Sequence, residues 1–166
     1  RHTLMKELIN KLVTELLETL SNSPDKDRYL LGITGCPAAG KSMLAGKLTD
    51  EINFRTGDDL AAVVPMDGFH LPNSILKKRG LTKVKGAPET FDAGSFVELI
   101  NQLYEFPDRS IMCPAYDRKI HDPVENFITI KPGNRLIIVE GNYLLLNAHP
   151  WNLIRTKMNE VWYIDT

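Results

Sequence analysis

GCPAAGKS, residues 35–42, lies between the apolar run YLLGIT (residues 29–34) and a segment from Lys41 to Arg55 carrying Leu44, Ala45, Leu48 and Ile52 at helical spacing. A short apolar run closed by glycine and proline reads as a buried strand, so strand, turn and helix follow in order. GxxxxGKS in that setting predicts a phosphate-binding loop. Small residues let backbone N–H groups turn inward around a phosphate, and the helix N-terminus adds its partial positive charge. The candidate nucleotide-binding residues are therefore Gly35, Cys36, Pro37, Ala38, Ala39, Gly40, Lys41 and Ser42. Lys41 is placed to reach the outer phosphates and Ser42 to ligate Mg²⁺ through its hydroxyl. Cys36 reads as a small turn residue, with redox control of the loop as the alternative.

Working outward, Leu60 to Met66 (LAAVVPM) is a second strand ending at Asp67, and Pro65 places it at a strand end or near an edge. Leu136 to Val139 is a third strand ending at Glu140, and Val161 to Ile164 a fourth. Helices are expected over Ser95 to Tyr104, with Phe96, Leu99, Ile100 and Leu103 on one face and Asp92 in the N-cap region, and over Trp151 to Met158. Residues 68–92 lack periodicity and read as irregular, a pattern that in a compact domain marks function, and residues 109–131 are again irregular, with short extended pieces around Ile111 and Phe127 to Ile130. Strands alternating with helices predict an α/β fold, a mostly parallel sheet in three α/β/α layers. Thr3 to Leu20 repeats apolar residues at i, i+4, an amphipathic helix whose stripe is expected to cover the side of the core. Ser21 to Arg28 reads as a linker, dividing the chain into 1–28 and a core of 29–166.

In open parallel sheets, ligands sit beyond the carboxyl ends of the strands, so Asp67 and Glu140 should face the same crevice as Lys41. With the third strand beside the first, Glu140 lies next to the metal position and Asp67 about 5 Å further out. Glu140 is therefore expected to hold metal or metal-bound water, and Asp67 to orient and deprotonate an acceptor hydroxyl. Either carboxylate has the alternative of being a solvated strand terminus.

Composition narrows the partners. The chain has 166 residues, 20 basic against 21 acidic, 43% hydrophobic and 25% charged, one domain's worth of globular protein. A net charge of −1 gives no broad cationic field, so nucleic acid is disfavoured. Cys36 and Cys113 have neither CxxC nor metal-ligand spacing, which fits a reducing cytoplasm. No apolar run approaches the roughly 20 residues that span a bilayer. Because the chain opens on Arg1 and stops directly after a strand-like run, it reads as a piece of a longer protein.

Together GCPAAGKS, PMDGFHLPN (65–73), KGAPETFD (85–92), PAYDRKIHDPV (114–124) and IIVEGNYLLL followed by Trp151 resemble the P-loop kinase superfamily of phosphoribulokinase, uridine kinase and bacterial pantothenate kinase. Within it they look most like a branch of uncharacterised or fructose-transport-associated ATP-dependent kinases. The resemblance implies a P-loop NTPase fold and transfer of the γ-phosphoryl group of ATP, with Mg²⁺, to a hydroxyl of a small molecule. It puts Asp67 in the position of the catalytic base, and Lys41 and Arg118 beside it in the catalytic set. By the same carry-over Tyr116, Arg118 and His121 line the acceptor pocket. His70 either faces that acceptor or makes a structural hydrogen bond, and Lys77, Lys78, Arg79, Lys83 and Lys85 form a solvated face or attract an anion.

DGFH stands where uridine kinases have DSFY, so nucleoside specificity does not carry over. The family's mobile lid and last strand are absent from this chain, which on that ground is expected to be weakly active or inactive alone. Two rivals stay open, a nucleotide-binding switch or NTPase and a degenerate nucleotide-binding module. The switch is disfavoured because no NKxD, TKxD or DxxG occurs. Oligomeric state, a homodimer included, is also open.

Overall fold

In chain order the regular elements are α1 (His2–Ser21), β1 (Tyr29–Gly35), α2 (Lys41–Thr56), β2 (Ala61–Pro65), α3 (Asn73–Lys78), α4 (Ala93–Glu105), β3 (Ile111–Asp117), β4 (Asp122–Ile130), β5 (Leu136–Glu140) and β6 (Glu160–Ile164). The computed structural model describes residues 2–23 and 27–165, so residues 24–26 of the expected linker lie outside the described residues. β1, β2, β5 and β6 form one parallel sheet in the order β2-β5-β1-β6.

Alternation along the strands builds the three layers. Leu31 and Ile33 of β1, with Leu136 and Ile138 of β5, pack with Val13, Leu16, Ala45, Leu48 and Ile52 of α1 and α2. Leu30, Ile137 and Val139 belong to the other core, with Phe96, Ile100 and Leu103 of α4 and with Trp151. β5 is buried throughout, as a strand covered on both faces must be. Asp92 caps α4 by accepting from the Ser95 backbone N–H at 3.1 Å. The stripe on α1 meets the core only from Ile9 onward; Leu4 and Leu8 are 70% and 48% exposed.

Three stretches differ from expectation. Residues 111–130 hold more than short extended pieces around Ile111 and Phe127 to Ile130: β3 and β4 pair antiparallel as a separate two-stranded sheet, with a register shift between Cys113 and Ala115. Pro114 and Pro123 and the exposed run from Glu125 to Phe127 break the alternation that would have announced two strands. The expected helix over 151–158 is instead two 3-10 turns, Trp151–Leu153 and Arg155–Lys157. Trp151 and Ile154, buried three residues apart, suit that tighter repeat. Within 68–92 the short helix α3 follows Pro72, whose carbonyl accepts from Ile75 and Leu76.

Arg28 ties the layers together at the entry to β1. Only 3% exposed, it donates to the carbonyls of Leu103, Phe106, Arg109 and Lys131 at 3.5, 3.1, 2.7 and 3.1 Å. Those four acceptors close the end of α4 and both flanks of the β3–β4 hairpin onto the sheet.

Candidate functional site

Strand register gathers the carboxyl ends. Glu140, the last residue of β5, stands between Ile33 of β1 and Pro65 of β2. Asp67 follows two residues after Pro65, in the 3-10 turn Met66–Phe69. Two close approaches allow this. A Cβ on Gly68 would lie 2.3 Å from the Pro114 carbonyl oxygen of β3, and one on Gly141 would lie 2.4 Å from Met66 Cβ. Glycine at both positions lets the Asp67 turn wedge between the hairpin and the end of β5.

Residues 35–42 run from the last residue of β1 through the loop 36–40 into the first turn of α2. Gly40 takes φ 90° at the N-cap, and Ala38, with φ 63°, holds a left-handed conformation that favours glycine. Lys41, 7% exposed, donates from Nζ to the Cys36 carbonyl at 2.9 Å. Pro37, Ala38, Gly40, Lys41 and Ser42 line a cavity of about 300 Å³ whose other walls include Asp67, Arg118, Glu140 and Asn142. Of the remaining loop residues, Gly35 lets the Ile164 carbonyl of β6 approach, since a Cβ there would lie 2.6 Å from it. The Ala39 N–H donates to the Cys36 carbonyl, and Cys36 Sγ stands 3.9 Å from the Tyr163 hydroxyl.

Ser42 donates from Oγ to Glu140 Oε1 at 2.9 Å. Burial pushes the Glu140 carboxyl above the ordinary carboxylate range, and neighbouring Asp67 pushes the same way. The Ser42 hydrogen bond, Lys41 and Arg118 pull it down. A hydroxyl and a carboxylate oxygen side by side suit a hard divalent cation such as Mg²⁺, which takes one or two protein ligands and leaves the rest to phosphate and water. Among the described residues no three His, Cys, Asp or Glu side chains form a metal cage.

A second cavity of about 330 Å³ shares Ser42, Asp67, Arg118 and Glu140 with the first and adds Val63, Pro65, Ala115 and Tyr116. The structure thus brings Lys41, Ser42, Asp67, Arg118, Glu140 and Tyr116 around two cavities that share four lining residues. His70 is set back from both: its Nδ1 is 2.7 Å from the Asp67 carbonyl, and its ring packs on Phe91 and Tyr116 at 4.1 and 4.8 Å between centroids. His121 lines neither cavity. It is exposed in the hairpin turn at φ 53°, and its carbonyl accepts from Asn73 Nδ2 and Lys85 Nζ. Sequence reasoning missed Gly141 and Asn142, although their place directly after the β5 carboxylate was a usable signal.

A candidate uridine kinase of Schizosaccharomyces pombe is 39% identical to the chain over 150 residues, 88% of this chain and 61% of its own length. Pantothenate kinase of Ligilactobacillus salivarius is 32% identical over 149 residues, 89% of this chain and 48% of its own. The crystal structure of a candidate fructose transport system kinase from Silicibacter sp. TM1040 matches with a TM-score of 0.83 and 34% identity, covering 95% of this chain and 74% of that one. No family model matches the chain. The chain spans about 60% of the first curated relative and about half of the second.

Proposed function

The chain belongs to the P-loop kinase superfamily of uridine kinase, phosphoribulokinase and bacterial pantothenate kinase, and from that premise we propose that it transfers the γ-phosphoryl group of ATP to a hydroxyl of a small molecule. One observation carries this reading: Lys41, Asp67, Arg118 and the Ser42–Glu140 pair surround one cavity, which shares four of its residues with a second walled by Tyr116.

Backbone amides of residues 35–42 and Lys41 hold the outer phosphates in the first cavity. Ser42 and Glu140 would hold Mg²⁺, which when bound would neutralise charge on the phosphates. The acceptor lies in the second cavity against Tyr116, with His70 supporting that wall from behind. Asp67 orients the acceptor hydroxyl and takes its proton as the new oxygen–phosphorus bond forms and the bond to the β-phosphate oxygen breaks. Arg118, exposed at the rim, donates to the transferring group.

ADP release by the native protein that carries this chain tests the proposal, measured with and without polyols, nucleosides and hydroxy acids. Release that depends on one acceptor class is the expected result. Release at one rate whatever the acceptor would mark a nucleotide hydrolase or switch instead.

A further inference from the structure

KGAPETFD and IIVEGNYLLL lie about 50 residues apart in the chain and contain residues that touch neither cavity. The structure joins them. Val84 to Ala87 is a turn closed by the Ala87 N–H on the Val84 carbonyl at 2.9 Å, with Lys85 at φ −50°, ψ 128° and Gly86 at φ 104°, a type II geometry that selects glycine. The turn is fixed from two sides. Thr90, fully buried, accepts from the Gly86 N–H at 2.9 Å and donates to the Ala87 carbonyl at 2.7 Å. Tyr143 donates its hydroxyl to the Gly86 carbonyl at 2.6 Å.

Each end of this connection reaches a different cavity. Tyr143 directly follows Asn142, which lines the phosphate cavity, and its ring packs edge-on against Phe91 and Trp151. At the other end Lys85 turns away from its exposed neighbours Lys77, Lys78, Arg79 and Lys83. It donates to Asn73 Oδ1 and the His121 carbonyl, both at 2.8 Å, and lies 5.0 Å over the Tyr116 ring. Asn73 binds the same hairpin tip through the His121 carbonyl and Asp122 Oδ1. The hairpin so clamped carries Tyr116 and Arg118, the walls of the acceptor cavity.

We propose that Tyr143 and Lys85 are positioning residues that couple the two halves of the site: phosphate bound beside Asn142 steadies the Val84–Ala87 turn through Tyr143, and the turn steadies the Tyr116–Arg118 wall through Lys85. The inference rests on the kinase reading for what the cavities hold. It assigns His121 its carbonyl as the functional group, and it gives Lys85 a structural partner set where a bare basic patch would have none.

Amide hydrogen exchange of the native protein with and without Mg·AMP-PNP, alongside calorimetric nucleotide titration, tests the coupling. In the wild type, nucleotide should slow exchange across residues 82–92 and 116–122. Tyr143→Phe keeps the ring packing and should bind nucleotide within about 3-fold of wild type, but lose the slowing in both segments. Lys85→Met should keep it at 82–92 and lose it at 116–122, an ordered break that general destabilisation does not produce. Full slowing in Tyr143→Phe, or equal loss in both segments in Lys85→Met, would overturn the coupling alone. Failure of the wild type to bind Mg·AMP-PNP would overturn the kinase reading with it.

Discussion

Glu140 is a carboxylate held against its own charge, by burial first and by Asp67 after it. In the ligand-free protein its raised pKa means that the folded state keeps a proton which the unfolded chain has already released. Stability from this group is therefore full below the ordinary carboxylate range and is lost as pH rises through the raised value. Urea unfolding across that window should show stability falling with pH, and Glu140→Gln should flatten the fall; an unchanged slope would contradict the assignment. Asp67→Asn should lower turnover by about 10²-fold or more while nucleotide affinity stays near wild type, as steady-state rates and titration calorimetry would report. Both carboxylates were legible in the sequence because each directly follows an apolar run. Tyr143 and Lys85 were not, since their roles depend on partners about 50 residues away. His121 misled because hairpin turns set neighbouring side chains in different directions, and the residue that shares a motif with Tyr116 is exposed.

Elements bought with long apolar runs were readable, and those made from half-exposed ones were not. β1, β2, β5 and β6 announce themselves as apolar runs and α2 and α4 by helical periodicity, whereas β3 and β4 alternate poorly around Pro114 and Pro123. The hairpin's placement instead depends on two single-residue devices. Gly68→Ala would set a methyl 2.3 Å from the Pro114 carbonyl oxygen, forcing the Asp67 turn and β3 apart. Thermal unfolding should register a loss of about 2 kcal/mol or more, and activity should fall further than stability because Asp67 moves with the turn. Arg28→Met keeps the buried stem and removes the donors to four carbonyls, so chemical denaturation should show a loss on the order of 2–4 kcal/mol. In the sequence Arg28 reads as one more linker charge; only the fold reveals the carbonyls around it.

At the scale of the whole molecule, the sheet order β2-β5-β1-β6 puts a late segment at the centre. β1 and β2 make no pairing with each other; both wait for β5. A chain stopped after Gly133 should accordingly show no cooperative transition by circular dichroism and no calorimetric binding of Mg·AMP-PNP, whereas a sharp transition would mean that the remaining strands find another pairing. The two layers flanking the sheet have separate cores, and both include residues of β5. During synthesis the ribosome therefore releases well over a hundred residues before the molecule has a spine to fold around, a long interval of exposed apolar surface. The five residues that end this interval also deliver Glu140, so the central beam of the frame and the last charge of the working crevice arrive as one piece, and a half-made copy has neither.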